Sequence, residues 1–168
     1  MKPFVRPAEV GDAEAIRGVL TAAFPSGAEA DLVEQLRADG DLSLEFVATI
    51  ERAVVGHLGF SRMTVEADGE RLSALALAPV AVRPNLQRRG IGRRLIECGL
   101  AGVNSRGTAI LFVLGEPALY GRFGFRIEAA APFASPYAGP HFMAQWLSSP
   151  RRPASGRADH ALAFAALE

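Results

Sequence analysis

Two near-continuous apolar runs, 72–82 and 109–114, flank a segment of helical length, and this arrangement constrains the fold more than any other feature of the chain. A strand wetted on one face alternates apolar and polar residues, whereas one covered on both faces does not. Each run therefore predicts a strand buried on both sides, as in a sheet covered by helices. From Gly90 onward, Ile91, Leu95 and Cys98 fall in one helical row and Ile96 and Val103 in the next. Arg93, Glu97 and Ala101 turn away from that face. Strand, helix, strand at this spacing is a right-handed parallel crossover, and the rest of the chain must be arranged around it.

At 168 residues the default is a single domain spanning 1–168, long enough to bury a substantial core. The 18 basic and 18 acidic side chains cancel, which argues against a strongly basic nucleic-acid binder. Cys98 is the only cysteine, so no internal disulfide can form, which fits a reducing, cytoplasmic setting. Residues 1–7 contain no apolar run of signal-peptide length. Segment 129–150 lacks acids, Lys and Arg, but four prolines and several polar residues interrupt it, so it does not read as a membrane span.

Upstream, Phe4, Val5 and Arg6 predict a strand. Asp12 is placed to cap a helix carrying Ile16, Val19, Leu20 and Ala23 at helical spacing. A second helix over 28–38 turns Leu32, Val33 and Leu36 inward and stops at Asp39-Gly40. Strands follow at 43–50 and 53–65, the latter with Val54, Leu58 and Phe60 on one side. Ala67-Asp68-Gly69-Glu70 is a strong hairpin signal. Downstream, Gly115-Glu116-Pro117 starts a short helix, 142–147 predicts a strand, 148–159 a loop, and 160–167 a return to the sheet edge.

The chemistry concentrates in the turn from Gln87 to Gly92. Gly90 and Gly92 lack Cβ atoms, so a ligand can approach the backbone closely. The first amides of the following helix have no intrahelical acceptor and, with the helix dipole, suit anionic oxygens. Arg88, Arg89 and Arg93 add fixed positive charge, with no acid between Arg83 and Arg94. The set is a way to hold a diphosphate. The bland alternative is a glycine-containing helix start beside a solvated arginine cluster. No Lys-Ser/Thr follows the glycines, and no third glycine completes a dinucleotide fingerprint. Pro79 interrupts the first apolar run. It marks either a bulge or edge, or a break in pairing that frees the backbone of Val80, Ala81 and Val82 for a ligand.

These residues resemble the GNAT superfamily of acetyl-CoA-dependent acetyltransferases. The resemblance rests on Val82-Arg83-Pro84 followed by Gln87-Arg88-Arg89-Gly90-Ile91-Gly92, and on Tyr120-Gly121-Arg122-Phe123-Gly124-Phe125 at the family's distance. Val5-Arg6-Pro7-Ala8, with Asp12 and Ile16, looks like the family's opening strand and helix. Leu114-Gly115-Glu116-Pro117 is similar to its YhbS-like branch. The resemblance implies an α/β (α+β) fold: a mixed, mostly antiparallel sheet flanked by helices, with the parallel fourth and fifth strands splayed apart. It implies acetyl-CoA as cosubstrate, with pantetheine along Val80, Ala81 and Val82 and pyrophosphate on the amides from Gln87 through Arg88, Arg89, Gly90, Ile91 and Gly92 to Arg93. The reaction would be direct attack by a primary amine, with Tyr120 as general acid toward the leaving thiolate. The acceptor would be a small molecule, a peptide N-terminus or a lysine. No base stands out: Glu45 and His57 could point into the cleft, but each fits a structural or solvated role better. Cys98 reads as a small hydrophobe on the apolar helix side rather than a nucleophile. His141 and His160 are isolated and lack metal-ligand spacing, so no metal is expected. Phe24, Pro25, Tyr137, Phe142 and Trp146 are candidates for the acceptor lining. A CoA-binding module without turnover is the competing reading, and fold analogy suggests a homodimer through the last strand.

Overall fold

The computed structural model describes residues 2–104 and 106–167. Strand β1 (Phe4–Pro7) leads through a 3-10 turn into α1 (Ala13–Ala23) and α2 (Ala28–Asp39). Three long strands follow, β2 (Leu42–Ile50), β3 (Ala53–Ala67) and β4 (Glu70–Val82), then α3 (Ile91–Asn104) and β5 (Ile110–Leu114). The chain finishes with α4 (Pro117–Tyr120), α5 (Ile127–Ala130), β6 (Phe133–Ala134), β7 (Phe142–Trp146), β8 (Gly156–His160) and a 3-10 segment, Leu162–Leu167. The strands form one sheet ordered β1-β2-β3-β4-β5-β7, with β8 on β3 and β6 on β8. The β4–β5 and β6–β8 pairs are parallel and the others antiparallel. This is the mixed, mostly antiparallel sheet that the resemblance implied.

Tight turns set the register. Glu51 and Arg52 (φ 50° and 71°) and Asp68 and Gly69 (φ 50° and 81°) are two-residue hairpin turns with positive φ. That geometry matches the right-handed twist of the strands it joins.

Helix α3 covers one face. Its Ile91, Leu95, Ile96 and Val103 pack on Leu58, Phe60, Leu75, Leu77, Leu111 and Val113. Each such large apolar side chain contributes about 1.5–3 kcal/mol on burial. Gly99 and Gly102 let this helix lie close to the sheet: a Cβ on Gly99 would meet Leu58 and Phe60, and one on Gly102 would come within 2.9 Å of Phe46. The opposite face carries α1 and α2 over Val47, Val54 and Ala81, and a separate cluster around Val65, Ile110, Phe112, Phe133 and Phe142. The apolar strands are thus buried on both sides, as their composition requires.

Four local expectations change. Val54 does not share a side with Leu58 and Phe60. Thr49 pairs with Val54 but Ala48 with Gly56, so Val55 is bulged out and the alternation reverses across it. Asp12 does not cap α1 with its side chain. It accepts the Glu9 amide (2.7 Å) and grips the Arg6 guanidinium through both oxygens (2.7 and 3.0 Å), closing the preceding 3-10 turn. Residues 156–159 are not loop but most of β8. β2 pairs β3 only as far as Ser61, leaving the same edge open from Met63 to Ala67, and β8 occupies it. Gly156 fits there because a Cβ would lie 2.9 Å from the Glu66 carbonyl. The final stretch is not a strand: past His160 it coils, and Phe164 packs on Leu32 and Leu36 of α2. The last strand is therefore flanked by β3 along its length and by β6 at Gly156 and Arg157.

The sheet forks at its centre. β4 and β5 pair only from Ala74↔Ile110 to Ala76↔Phe112. Beyond that, β4 stays on β3 as far as Val82 while β5 follows β7 to Leu114. Where they part, Phe60 pairs with Leu77 and Leu58 with Val80, so Ala78 and Pro79 together oppose Gly59. The Ala78–Pro79 peptide is cis. Both readings of Pro79 hold: it sits in a bulge toward β3, and on its other side β4 has lost its partner.

Candidate functional site

Past Ala76 the open arm of β4 stays paired with β3 but no longer with β5. The Arg83 amide donates to the Val55 carbonyl at 2.9 Å, toward β3. Because successive residues of a strand direct their peptide groups to alternate sides, those of Val80 and Val82 point into the fork. Ala81 does the reverse: it faces His57 on β3 and buries its methyl among Ile16, Val19 and Val47.

A cleft of about 320 Å³ continues from this arm, lined by Val80, Val82, Leu86 and the turn from Gln87 to Arg93, except Arg89, which does not line it. Gln87 ties that turn to the strand, its Nε2 donating to the Val82 carbonyl at 3.1 Å. Arg88 (φ 65°) and Gly90 (φ 84°) both adopt left-handed backbone. That conformation costs a non-glycine residue about 1–2 kcal/mol, and such outliers cluster at functional sites. The first bond that closes α3 runs from Arg94 to the Gly90 carbonyl, 3.1 Å. The amides of Ile91, Gly92 and Arg93 precede it, at a helix start whose orphan N–H groups and dipole suit anions. The two glycines have different reasons. Gly90 is needed for its positive φ; Gly92 is not so constrained, and a methyl there would touch only Val82 Cγ2, at 3.8 Å. With no Cβ at 92, the backbone there is open to close approach by a ligand. Arg88 and Arg89 are exposed, but Arg93 pairs with Glu97 at 2.8 Å, one helical turn on. The absence of acids between Arg83 and Arg94 therefore does not leave all these cations unpaired.

A second cavity, about 390 Å³, shares Val80 with the first and passes through the fork. Leu77, Val113 and Tyr120 line it from the α3 side of the sheet. Phe24, Leu32, Tyr137 and Phe164 line it from the other face, with Ala78 and Pro79 between. Tyr120 ends α4, which starts at Pro117 in its first turn as the sequence suggests. Its ring stacks on the backbone of Gly115, where any Cβ would collide with it, and meets Phe125 edge-on at 6.0 Å. Burial pushes its phenol above the usual tyrosine range, so it is a proton donor at neutral pH.

The other candidates separate. Phe24 and Tyr137 line this cavity, while Pro25 does not, and Phe142 and Trp146 pack in the hydrophobic cluster beyond it. Glu45 and His57 are structural. His57 is completely buried, its Nε2 lies 2.7 Å from Glu45 Oε2, and Arg37 donates to the same oxygen at 2.7 Å. Burial alone would raise the Glu45 carboxyl, but the hydrogen bond and charge of His57, with the charge of Arg37, outweigh it and hold it below the usual glutamate range. Cys98 is partly buried on α3, and His141 is exposed with its ring beside the Gly115 carbonyl. Among the described residues no cluster of three or more His, Cys, Asp or Glu could hold a metal, and no helix is long and apolar enough to cross a membrane. Two polar residues of the cavity escape the sequence reading, Glu29 and His160. Glu29 sits on the polar side of a helix pattern and His160 at the end of a strand with no strand signal, so only the tertiary fold brings them in.

Comparison with known proteins agrees with this geometry. Residues 5–127 match the family model described as an acetyltransferase (GNAT) domain. Over 119 residues the chain is 43% identical to a protein of Escherichia coli K12 described as an uncharacterized N-acetyltransferase, YhbS, covering 70% of each chain. A second E. coli K12 protein, the uncharacterized N-acetyltransferase YjhQ, is 40% identical over 116 residues, 68% of this chain and 64% of that one. The crystal structure of E. coli YhbS in complex with CoA superposes with a TM-score of 0.87 at 34% identity, over 98% of this chain and 93% of that one. A GNAT family acetyltransferase from Brucella melitensis in complex with acetyl-CoA gives 0.80 at 32% identity, over 97% and 98%. The forked sheet, the arginine- and glycine-rich turn and these matches together place the chain in the GNAT acetyltransferase family.

Proposed function

We propose that this chain transfers an acetyl group from acetyl-CoA to a primary amine. The observation that carries the proposal is the continuity of the two cavities through Val80. One ends on the first-turn amides of α3; the other passes between strands to the opposite face of the sheet. The donor's size and charge fit this path. Its diphosphate suits the amides of Ile91, Gly92 and Arg93 and the guanidinium groups of Arg88 and Arg89, at roughly 1.5–3 kcal/mol per charge-assisted bond. The Val80 peptide group and the Val82 amide offer a strand-like partner to its amide arm, while Ala81 holds the strand in place and Gln87, bonded to the Val82 carbonyl, holds the turn. When bound, acetyl-CoA supplies an activated thioester. Tyr120 gives its phenolic proton to the departing sulfur. The far cavity admits the amine, and its volume of about 390 Å³ suits a small molecule rather than a folded protein segment.

Thiol release from acetyl-CoA across an amine panel tests the proposal. The expected result is turnover that falls about 10²–10⁴-fold in Tyr120→Phe while the Kd for CoA stays unchanged. Tight CoA binding with no turnover of any amine would instead identify a non-catalytic binding module.

A further inference from the structure

His160 is the last residue of β8, and its ring enters the wall of the cavity that Tyr120 enters from the other face of the sheet. Three aromatic rings hold it. Tyr137 lies edge-on at 4.9 Å and 77°, Phe164 at 4.9 Å, and Phe142 at 6.5 Å. Packed among these rings, the imidazole is set in the cavity wall rather than left to sweep through solvent. The other titratable side chains lining the cavity are Tyr120, Tyr137 and Glu29, the last from the first turn of α2. A phenol is ordinarily a donor at neutral pH and a carboxylate a weak base. An imidazole is the one group of the four whose ordinary titration range lies beside neutrality, so it can take a proton and return it to solvent within a turnover. Glu29 is the cavity's only carboxylate among the described residues, set in an otherwise apolar and aromatic wall.

Building on the amine-acetylation reading, we infer that His160 is the general base of this site and that Glu29 draws the acceptor's cationic nitrogen toward it. The acceptor is then a primary amine on an apolar or aromatic body. The bound ammonium first gives one proton to the His160 ring, which returns it to solvent and leaves a neutral amine with its lone pair exposed. In the step itself a C–N bond forms and the C–S bond breaks. The nitrogen's surplus proton goes to the His160 ring, and Tyr120 protonates the sulfur. A proton passing through solvent from imidazolium to phenolate resets the pair.

The test uses the full chain with acetyl-CoA, 2-phenylethylamine as probe, and putrescine as a cationic comparison lacking an apolar body. The expected result is a kcat/KM at least tenfold higher for 2-phenylethylamine. His160→Gln should lower kcat about 100-fold or more, abolish the acidic limb of the pH profile and leave the Kd for CoA within twofold, and added imidazole should restore part of the rate of His160→Ala. A kcat within threefold of wild type in His160→Gln, or equal use of putrescine, overturns the inference while leaving acetyl transfer intact. CoA binding without turnover of any amine overturns both. Should the variants fail to fold, the unaltered chain still decides. It has three histidines, of which His57 is buried and His141 exposed in a loop. The His160 ring resonance must move when 2-phenylethylamine is added to the CoA-loaded protein, and an unmoved resonance overturns the inference.

Discussion

Gly115 fixes where the Tyr120 ring lies, because any side chain there collides with the ring face. Gly115→Ala is therefore expected to act on the phenol without touching the diphosphate cleft. A displacement of about 1 Å costs roughly 100-fold in rate. The measurement is thiol release beside calorimetric CoA binding: kcat should fall and the Kd hold. Weakened CoA binding would show that the two cavities are not separable in this way. Positions 90 and 92 make a second pair of opposites. Gly90→Ala strains a φ of 84° and should lower stability by about 1 kcal/mol. Gly92→Ala replaces a helix glycine where a methyl meets only an ordinary contact with Val82, and should raise stability by up to about 1 kcal/mol, yet weaken CoA binding tenfold or more. Thermal melts with and without CoA separate these effects. The Gly-x-Gly was legible in the sequence; that its two members serve different purposes was not, since φ and clearance are properties of the folded turn.

Among the elements, α3 shows how close approach is built in. Its apolar rows were readable from spacing, but Gly99 and Gly102 carry no periodic signal; they matter because Leu58, Phe60 and Phe46 stand directly beneath them. Gly99→Ala gains about 1 kcal/mol of helix propensity but overpacks the core at about 1–3 kcal/mol. The expected net effect is a Tm lower by several degrees in a denaturation scan; an unchanged Tm would mean the helix can lift without cost. The β2–β3 and β3–β4 hairpins and the β4–α3–β5 crossover could be read because each rests on local turn chemistry or a long apolar run. β8 could not. It lies on β3 because β2 stops at Ser61 and leaves that edge open, a circumstance that no residue of 156–160 encodes.

For the molecule as a whole, the part-buried Arg37–Glu45–His57 group ties α2 to β2 and β3. Glu45 titrates below its unfolded value of about 4.3. Its contribution is therefore complete above that pH and is lost as pH falls through the folded value, where the native carboxylate must take up a proton the unfolded chain already holds. Urea unfolding across pH 3–7 should show this acid loss in the wild type and a flatter profile in Glu45→Gln. The variant should be about 2 kcal/mol less stable at neutral pH, because the buried His57 ring loses a charged acceptor. An unchanged acid limb would assign the loss to other carboxylates. This group was visible in the sequence only as an acid and a histidine on adjacent strand candidates. The antiparallel register sets them diagonally across the β2–β3 pair, Glu45 opposite Gly59 and His57 opposite Val47, away from the cavity.

By itself the sequence determined the strand–helix–strand unit, the hairpins, the helix start with its glycines and arginines, and the short helix that ends at Tyr120. These follow from backbone preferences and burial, which act over a few neighbouring residues. Tertiary structure alone decided how far β4 and β5 pair before parting, that the resulting cavity crosses the sheet, and that Glu29, Tyr120 and His160 line it together. Those residues lie far apart along the chain, and their meeting depends on which sheet edges remain open once the stronger local pairings have formed.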